Sequence, residues 1–196
     1  MKILLFCCKG FEMMEFAPFI DVMGWAKNDF GISIEVVTAG FEKTVLSAFG
    51  IPITVDQTFE EIVVDAYDAL VIPGGFEEYG FYEDAFNDRL MHLIRQFSER
   101  GKWIASVCVG ALPLGASGIL RGRKATTYHL GDGRRQKQLA SFGANVISDQ
   151  EIVVDDHIIT SFCPETAPGV AFKLLGLMTD ESTSHTVAAA MGFSLQ

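Results

Sequence analysis

Basic residues are scarce in this chain: Lys and Arg number 15 against 25 Asp and Glu, giving a formal net charge of -10. That imbalance repels phosphate backbones and anionic lipid surfaces, and no basic stripe offsets it, so neither nucleic acid nor a membrane surface is expected as a partner. Long apolar runs are missing too, which excludes a bilayer-spanning helix. "MKILLFCC" is too short for a secretory signal, and Lys9, Glu12 and Glu15 follow it closely. The expected compartment is therefore the cytoplasm. The four cysteines form no C-x-x-C pair, and no histidine spacing suits zinc. The acidic pairs Glu77-Glu78 and Asp155-Asp156 lack calcium-loop spacing and read as solvated loops. No metal and no cofactor is expected, and in a reducing cytosol the cysteines read as free thiols.

What remains is ordinary for a folded chain: 196 residues, 49% hydrophobic and 20% charged. That is enough for one well-buried core. A single domain is expected over residues 1–180, with 181–196 as a C-terminal helix or tail. "KILLFCC" (2–8) reads as a strand buried on both faces, leading through Gly10 into the helix-like "MMEFAPFIDVMGWAKN". "GISIEVVTA" (31–39) alternates Ile32, Ile34 and Val36 and predicts a second strand. A hairpin-like excursion follows, punctuated by Gly50 and Pro52. "YDALVIPGG" is another buried strand, and Phe86, Leu90, Leu93, Ile94 and Phe97 stand at helical spacing before Gly101. "KWIASV" is the next strand, then a small-residue helix (110–117), a "GRKATTYH" strand, a helix-like "RRQKQLASFG", strands in "NVI" and "EIVVDDHIITSF", and a closing helix in "PETAPGVAFKLLGLMT". Strands alternating with helices predict an α/β sandwich with a mostly parallel sheet covered on both faces.

Cys108 falls between "KWIASV" and the small-residue helix. In an open parallel sheet, ligands bind beyond the carboxyl ends of the strands, and S-V-C-V-G is a cysteine version of the G-x-S-x-G nucleophile elbow. Gly110, Ala111 and Gly115 let the helix pack closely behind it. A thiol at a helix N-terminus meets unpaired N–H groups and the positive dipole end, which favour the thiolate. The backbone N–H groups of Val109 and of Gly74 or Gly75 are the expected donors to an oxyanion. Cys7 and Cys8 read as core packing and Cys163 as a buried thiol, while His92, His157 and His185 read as solvated. Phe76, Tyr79, Phe81 and Tyr82 either wall a pocket or form an interface.

"KGFEMMEFAPFIDVM", "VIPGG", "IASVCVG", "GILRGRKATTYH" and "IITSFCPETAPGVAFKLL" occur in this order over nearly the whole chain. In them the chain resembles the ThiJ/PfpI superfamily, the group of the Parkinsonism-associated protein deglycase, with its class I glutamine amidotransferase-like fold. The resemblance implies a flavodoxin-like three-layer α/β/α sandwich with a cysteine nucleophile elbow, and a homodimer. It also implies a carboxylate approaching that cysteine, and Glu15 is the residue in that position. A carboxyl facing a thiolate holds its proton, which makes Glu15 a proton donor and acceptor. Glu12 instead reads as an exposed helix-terminal residue favoured by the dipole.

Three departures shape the functional expectation. Family peptidases resemble this chain but have histidine directly after the cysteine, where Val109 stands. Members with histidine after the T-T pair match at Thr126-Thr127, but here Tyr128 follows and His129 comes one later; either lines the site, and strand alternation admits one of the two. Isocyanide hydratases of the superfamily resemble one another in having Asp where Glu15 stands. The expected activity is cofactor-independent attack by Cys108 on a small electrophile such as a 2-oxoaldehyde, of glyoxalase or deglycase type. A redox-responsive or chaperone-like role through oxidation of Cys108 is the alternative.

Overall fold

The computed structural model describes residues 1–195. Its centre is a seven-stranded sheet in the order β10-β11-β7-β6-β1-β2-β5. The strands are β1 (Lys2–Phe6), β2 (Glu35–Gly40), β5 (Gln57–Thr58), β6 (Ala69–Ile72), β7 (Trp103–Ser106), β10 (Ile152–Asp155) and β11 (Ile158–Ser161). All neighbours run parallel except β10, which pairs antiparallel with β11 as an edge hairpin. A hairpin of β3 (Thr44–Leu46) and β4 (Pro52–Thr54) and a short parallel pair of β8 (Lys124–Ala125) and β9 (Asn145–Val146) lie apart from it.

The central strands are apolar without alternation because both faces are covered. Ile3, Leu4, Leu5 and Phe6 of β1 and Ala69 to Ile72 of β6 are all buried. On one face α1 (Met13–Phe30) packs against α6 (Ala167–Met178) and α7 (Glu181–Ala190). On the other, α3 (Asp88–Glu99) packs against α4 (Ala111–Ser117), and α4 against α5 (Arg134–Ser141). The short α2 (Phe81–Ala85) precedes α3. Helix α3 shows how the sequence sets this layering: Leu90, Leu93, Ile94 and Phe97 recur at helical spacing and are buried, and the Asn87 side chain caps the start by accepting from the Arg89 N–H at 3.0 Å. Each large apolar side chain so buried is worth about 1.5–3 kcal/mol.

The fold is thus the expected α/β sandwich, and the differences are local. Strand β2 starts at Glu35, because Ile32 and Ile34 belong to the approach from α1. The "GRKATTYH" strand is two residues long: beyond Ala125 the chain leaves β9 and turns toward the sheet's carboxyl edge, held by the Thr126 N–H donating to Thr160 Oγ1 at 2.9 Å. Residues 181–190 form α7, capped by the Asp180 carboxylate on the Thr183 N–H and seated on α6 through Val187 and Ala188. Among the described residues no helix is long and apolar enough to cross a membrane.

Candidate active site

Chain order reverses beside β1: β2 lies on one side, β6 and β7 on the other. At the carboxyl ends of β1, β6 and β7 a crevice therefore opens, and each of these strands delivers one part of the site. After β1, the first turn of α1 presents Glu15. After β6 come Pro73, Gly74 and Gly75. After β7 comes Cys108.

Cys108 has φ 54°, in the left-handed region that a residue with a Cβ rarely adopts. Holding a non-glycine residue there costs about 1–3 kcal/mol, and such strain persists only where the surroundings enforce it. Two contacts enforce it here. Gly110 runs so close beneath the end of β6 that a Cβ would collide with the Ile72 carbonyl, so the chain must turn sharply. Thr127 Oγ1 then donates to the Cys108 carbonyl at 2.7 Å. That threonine was visible in the sequence only as half of a T-T pair.

Glu15 is 1% exposed. Its Oε2 accepts a hydrogen bond from the Gly74 N–H at 2.6 Å, and its carboxyl faces the Cys108 thiol. Burial raises the Glu15 pKa to about 8, partly opposed by the hydrogen bonds from Gly74 and Cys108. The Cys108 thiol, 7% exposed, is pushed well above its ordinary value, first by burial and then by the Glu15 charge, while the Val109 N–H acts in the opposite direction. This corrects the sequence expectation of a thiolate stabilised by a helix terminus: α4 has only seven residues, and burial outweighs it. Burial thus favours the proton-bearing form of both groups.

The oxyanion donors also divide. The Gly74 N–H is committed to Glu15 and is not free for substrate, contrary to expectation. Gly75 bridges to Phe11 through the bonds of its neighbours, Glu12 N–H to the Gly74 carbonyl and Phe76 N–H to the Gly10 carbonyl. Gly75 and Val109 line a cavity of about 450 Å³. Cys108, Glu15 and Tyr128 line the same cavity.

Of the two residues after the T-T pair, Tyr128 enters this cavity, while His129 sets Nδ1 3.4 Å from Cys163 Sγ and lays its ring on Phe162, centroids 4.1 Å apart. No histidine is among the residues lining the described cavity. Phe76 and Tyr82 wall it, whereas Phe81 is core and Tyr79 packs with Phe49 and Phe76 at the surface. Glu12 is buried at the cavity rather than exposed, because the Gly74 carbonyl anchors its N–H and draws the helix start inward. Its carboxyl pKa is raised by that burial.

Cys7 and Cys8 are fully buried, and burial pushes both thiols up. His92 is exposed. His157 is not merely solvated: its Nδ1 lies 2.8 Å from the Asp156 carboxylate and its Nε2 3.2 Å from Ser98 Oγ. His185 lines a separate cavity between α6 and α7. Among the described residues no group of three His, Cys, Asp or Glu side chains is placed to hold a metal ion. The cavity also takes in Arg134 and Arg135, from the helix-like "RRQKQLASFG" segment; nothing in their local sequence marks them as site residues.

Comparison with known proteins agrees with this fold. The sequence profile of the DJ-1/PfpI family matches residues 1–177. Deglycase PfpI of Pyrococcus furiosus is 36% identical over 131 residues, covering 66% of this chain and 74% of that protein. A deglycase of Thermococcus kodakarensis is 32% identical over 166 residues, covering 84% of this chain and 91% of that protein. The crystal structure of Drosophila melanogaster DJ-1beta superposes with a TM-score of 0.86 at 25% identity, covering 99% of this chain and 98% of that one. The chain belongs to the DJ-1/PfpI family.

Proposed function

We propose that this chain is a cofactor-independent enzyme acting on small reactive carbonyl compounds, of glyoxalase or deglycase type, with Cys108 as nucleophile and Glu15 as proton carrier. The observation that carries the reading is the strained Cys108 elbow facing a buried Glu15, held by the Gly74 N–H, in one cavity. The deglycase-named relatives support the substrate class.

With a 2-oxoaldehyde, the sulfur adds to the aldehyde carbon. In the ionised fraction that a pKa of about 8 leaves near neutral pH, the Glu15 carboxylate takes the thiol proton and passes it to the carbonyl oxygen, giving a hemithioacetal and restoring the carboxylate. The N–H groups of Val109 and Gly75 receive the oxygen while it is charged. Glu15 then moves a proton from the former aldehyde carbon to its neighbour through an enediol, leaving a thioester and an alcohol. Water hydrolyses the thioester, releasing the 2-hydroxy acid and restoring the thiol. A carboxyl with a pKa near 8 suits this two-way traffic close to neutral pH. The test is lactate formation from methylglyoxal without glutathione: wild type is expected to turn over and Cys108→Ser to be inactive. Equal rates in the two proteins would reject the reading.

A second reading, a redox-responsive or chaperone-like protein, is favoured by one observation. The Val109 N–H and the Glu15 carboxyl both meet the Cys108 sulfur and offer donors to sulfinate oxygens. After mild peroxide, two oxygens should appear on Cys108 ahead of Cys163; equal modification of the two dismisses this role. An intracellular peptidase or amidase, or an isocyanide hydratase, fits less well, because Val109 replaces a neighbouring histidine and Glu15 is not Asp.

The proposed setting is a cytoplasmic homodimer. The support for the dimer is an exposed apolar cluster in which Phe49 meets Phe76 and Tyr79, with Leu46 and Ile51 beside it. Sedimentation velocity reads the mass directly, and a monomer at micromolar concentration would dismiss it.

A further inference from the structure

Arg134 and Arg135, at the start of α5, border the same cavity as Cys108. The Arg135 side chain is only 14% exposed, an unusual burial for a guanidinium. Its charged partner is Glu77, whose Oε2 lies 3.0 Å from Arg135 and 3.9 Å from Arg134. Two guanidinium groups thus share one carboxylate. Arg135 also donates to a neutral acceptor, Gln138 Oε1, at 2.9 Å. Among Arg134, Arg135 and Glu77 one positive charge is left over, and among the described residues Glu78, exposed at the rim, pairs with neither arginine.

The guanidinium is also held in place before any ligand arrives. It lies over the Tyr82 ring, 4.7 Å from its centroid, and Tyr82 is stacked on Phe86 at 5.3 Å with the planes 15° apart. Tyr82 lines the same cavity as Arg135 and Cys108. The cavity's other acidic groups come from elsewhere. Glu12 and Glu15 open α1, Glu165 lies in the turn entering α6, and those two segments pack together. Glu78 sits exposed beside Glu77 at the rim. The cavity is therefore bipolar, with its positive pole at α5.

We infer that Arg135, assisted by Arg134, selects for a carbonyl substrate carrying a carboxylate, binding that group while the carbonyl reaches Cys108. The inference rests on the carbonyl-attack reading above. It assigns a substrate class to the site: oxo acids, in preference to neutral aldehydes. A planar, preorganised guanidinium matches a carboxylate bidentately, which a neutral wall does not.

The experiment uses two alkylating agents that differ mainly in charge, iodoacetate and iodoacetamide. Second-order rates at Cys108 are read by peptide mass spectrometry at alkaline pH, and the iodoacetate-to-iodoacetamide ratio cancels any change in thiol reactivity. Wild type is expected to show a ratio about tenfold above that of free cysteine, the size of effect one partly desolvated charge gives. Arg135→Gln should lower the ratio at least about fivefold, and added salt should lower it in wild type. Glu77→Gln should raise it, because it frees both arginines from their internal partner, and this variant keeps the test decisive if Arg135→Gln does not fold. Labelling by both reagents at a ratio indifferent to Arg135 and Glu77 overturns the inference and leaves the carbonyl reading standing. Labelling by iodoacetamide alone likewise overturns only the inference, whereas failure of both reagents to label Cys108 overturns both.

Discussion

The backbone N–H of Gly74 donates to Glu15 Oε2 at 2.6 Å, and a Cβ on Gly74 would lie 2.8 Å from that same oxygen. One glycine thus both holds the carboxyl and leaves room for it. The consequence is that Glu15, fixed by β6, is presented to a thiol fixed by β7, and neither group can move away when the other ionises. The acid–base behaviour of the site belongs to the pair.

The first prediction concerns the thiol. Because burial and then the Glu15 charge raise its pKa, alkylation of Cys108 in wild type should show a midpoint above the free-cysteine value of about 8.5. Glu15→Gln keeps a hydrogen-bonding group but removes the charge present above pH 8, so the midpoint should fall relative to wild type, with burial still holding it up. Peptide-resolved labelling against pH measures both. A wild-type midpoint well below 8.5 would show that donors to sulfur outweigh burial, contrary to this account.

Much of this was legible in the sequence, for reasons that differ by residue. Buried strands such as "KILLF" and the elbow around Cys108 are marked by composition and spacing, because a doubly covered strand must be apolar and a sharp turn must have small neighbours. Cys108 was found because it lies just beyond the end of a central strand, and Glu15 because the family resemblance places a carboxylate at that position. What sequence does not carry is competition for a shared partner. Gly74 looked available to an oxyanion, and only the fold shows it committed to Glu15. Glu12 looked exposed, and only the pull of the Gly74 carbonyl brings it inside. Arg135 lies 27 residues after Cys108 on a separate helix, so its part in the cavity depends on tertiary packing alone.

A second prediction follows for stability against pH. The Glu15 pKa is raised from 4.5 to about 8 on folding, so the native chain binds its proton more tightly than the unfolded chain does. The sign is then fixed: the contribution is most favourable below pH 4.5 and is lost progressively as pH rises through 8. At pH 7 the cost is at most about 3 kcal/mol. Glu15→Gln removes this dependence while its amide oxygen still accepts from Gly74. Urea unfolding across pH 5–9 should show the variant gaining on wild type with rising pH. A constant difference would mean that Glu15 ionises in the folded protein as readily as in water. Glu12, also raised by burial, is common to both proteins and cancels.

The last prediction concerns the strain at the elbow. In Cys108→Ala the methyl group keeps the burden of a Cβ at φ 54°, whereas Cys108→Gly removes it. Both variants lose the same sulfur, so their difference isolates the backbone. At an ordinary position alanine is the more stabilising residue, by about 0.4–1 kcal/mol, because it restricts the unfolded chain. At this one the order should invert, with glycine ahead by about 1 kcal/mol, since relief of left-handed strain exceeds the entropy it costs. Cys108→Val should be lower still, its branched Cβ being least tolerant of that conformation. Denaturant midpoints of the three variants decide the matter. If alanine proves at least as stable as glycine, then the grip of Gly110 and the Thr127 hydroxyl does not hold Cys108 in a strained state. If glycine leads, a cysteine here costs stability that only its chemistry can justify.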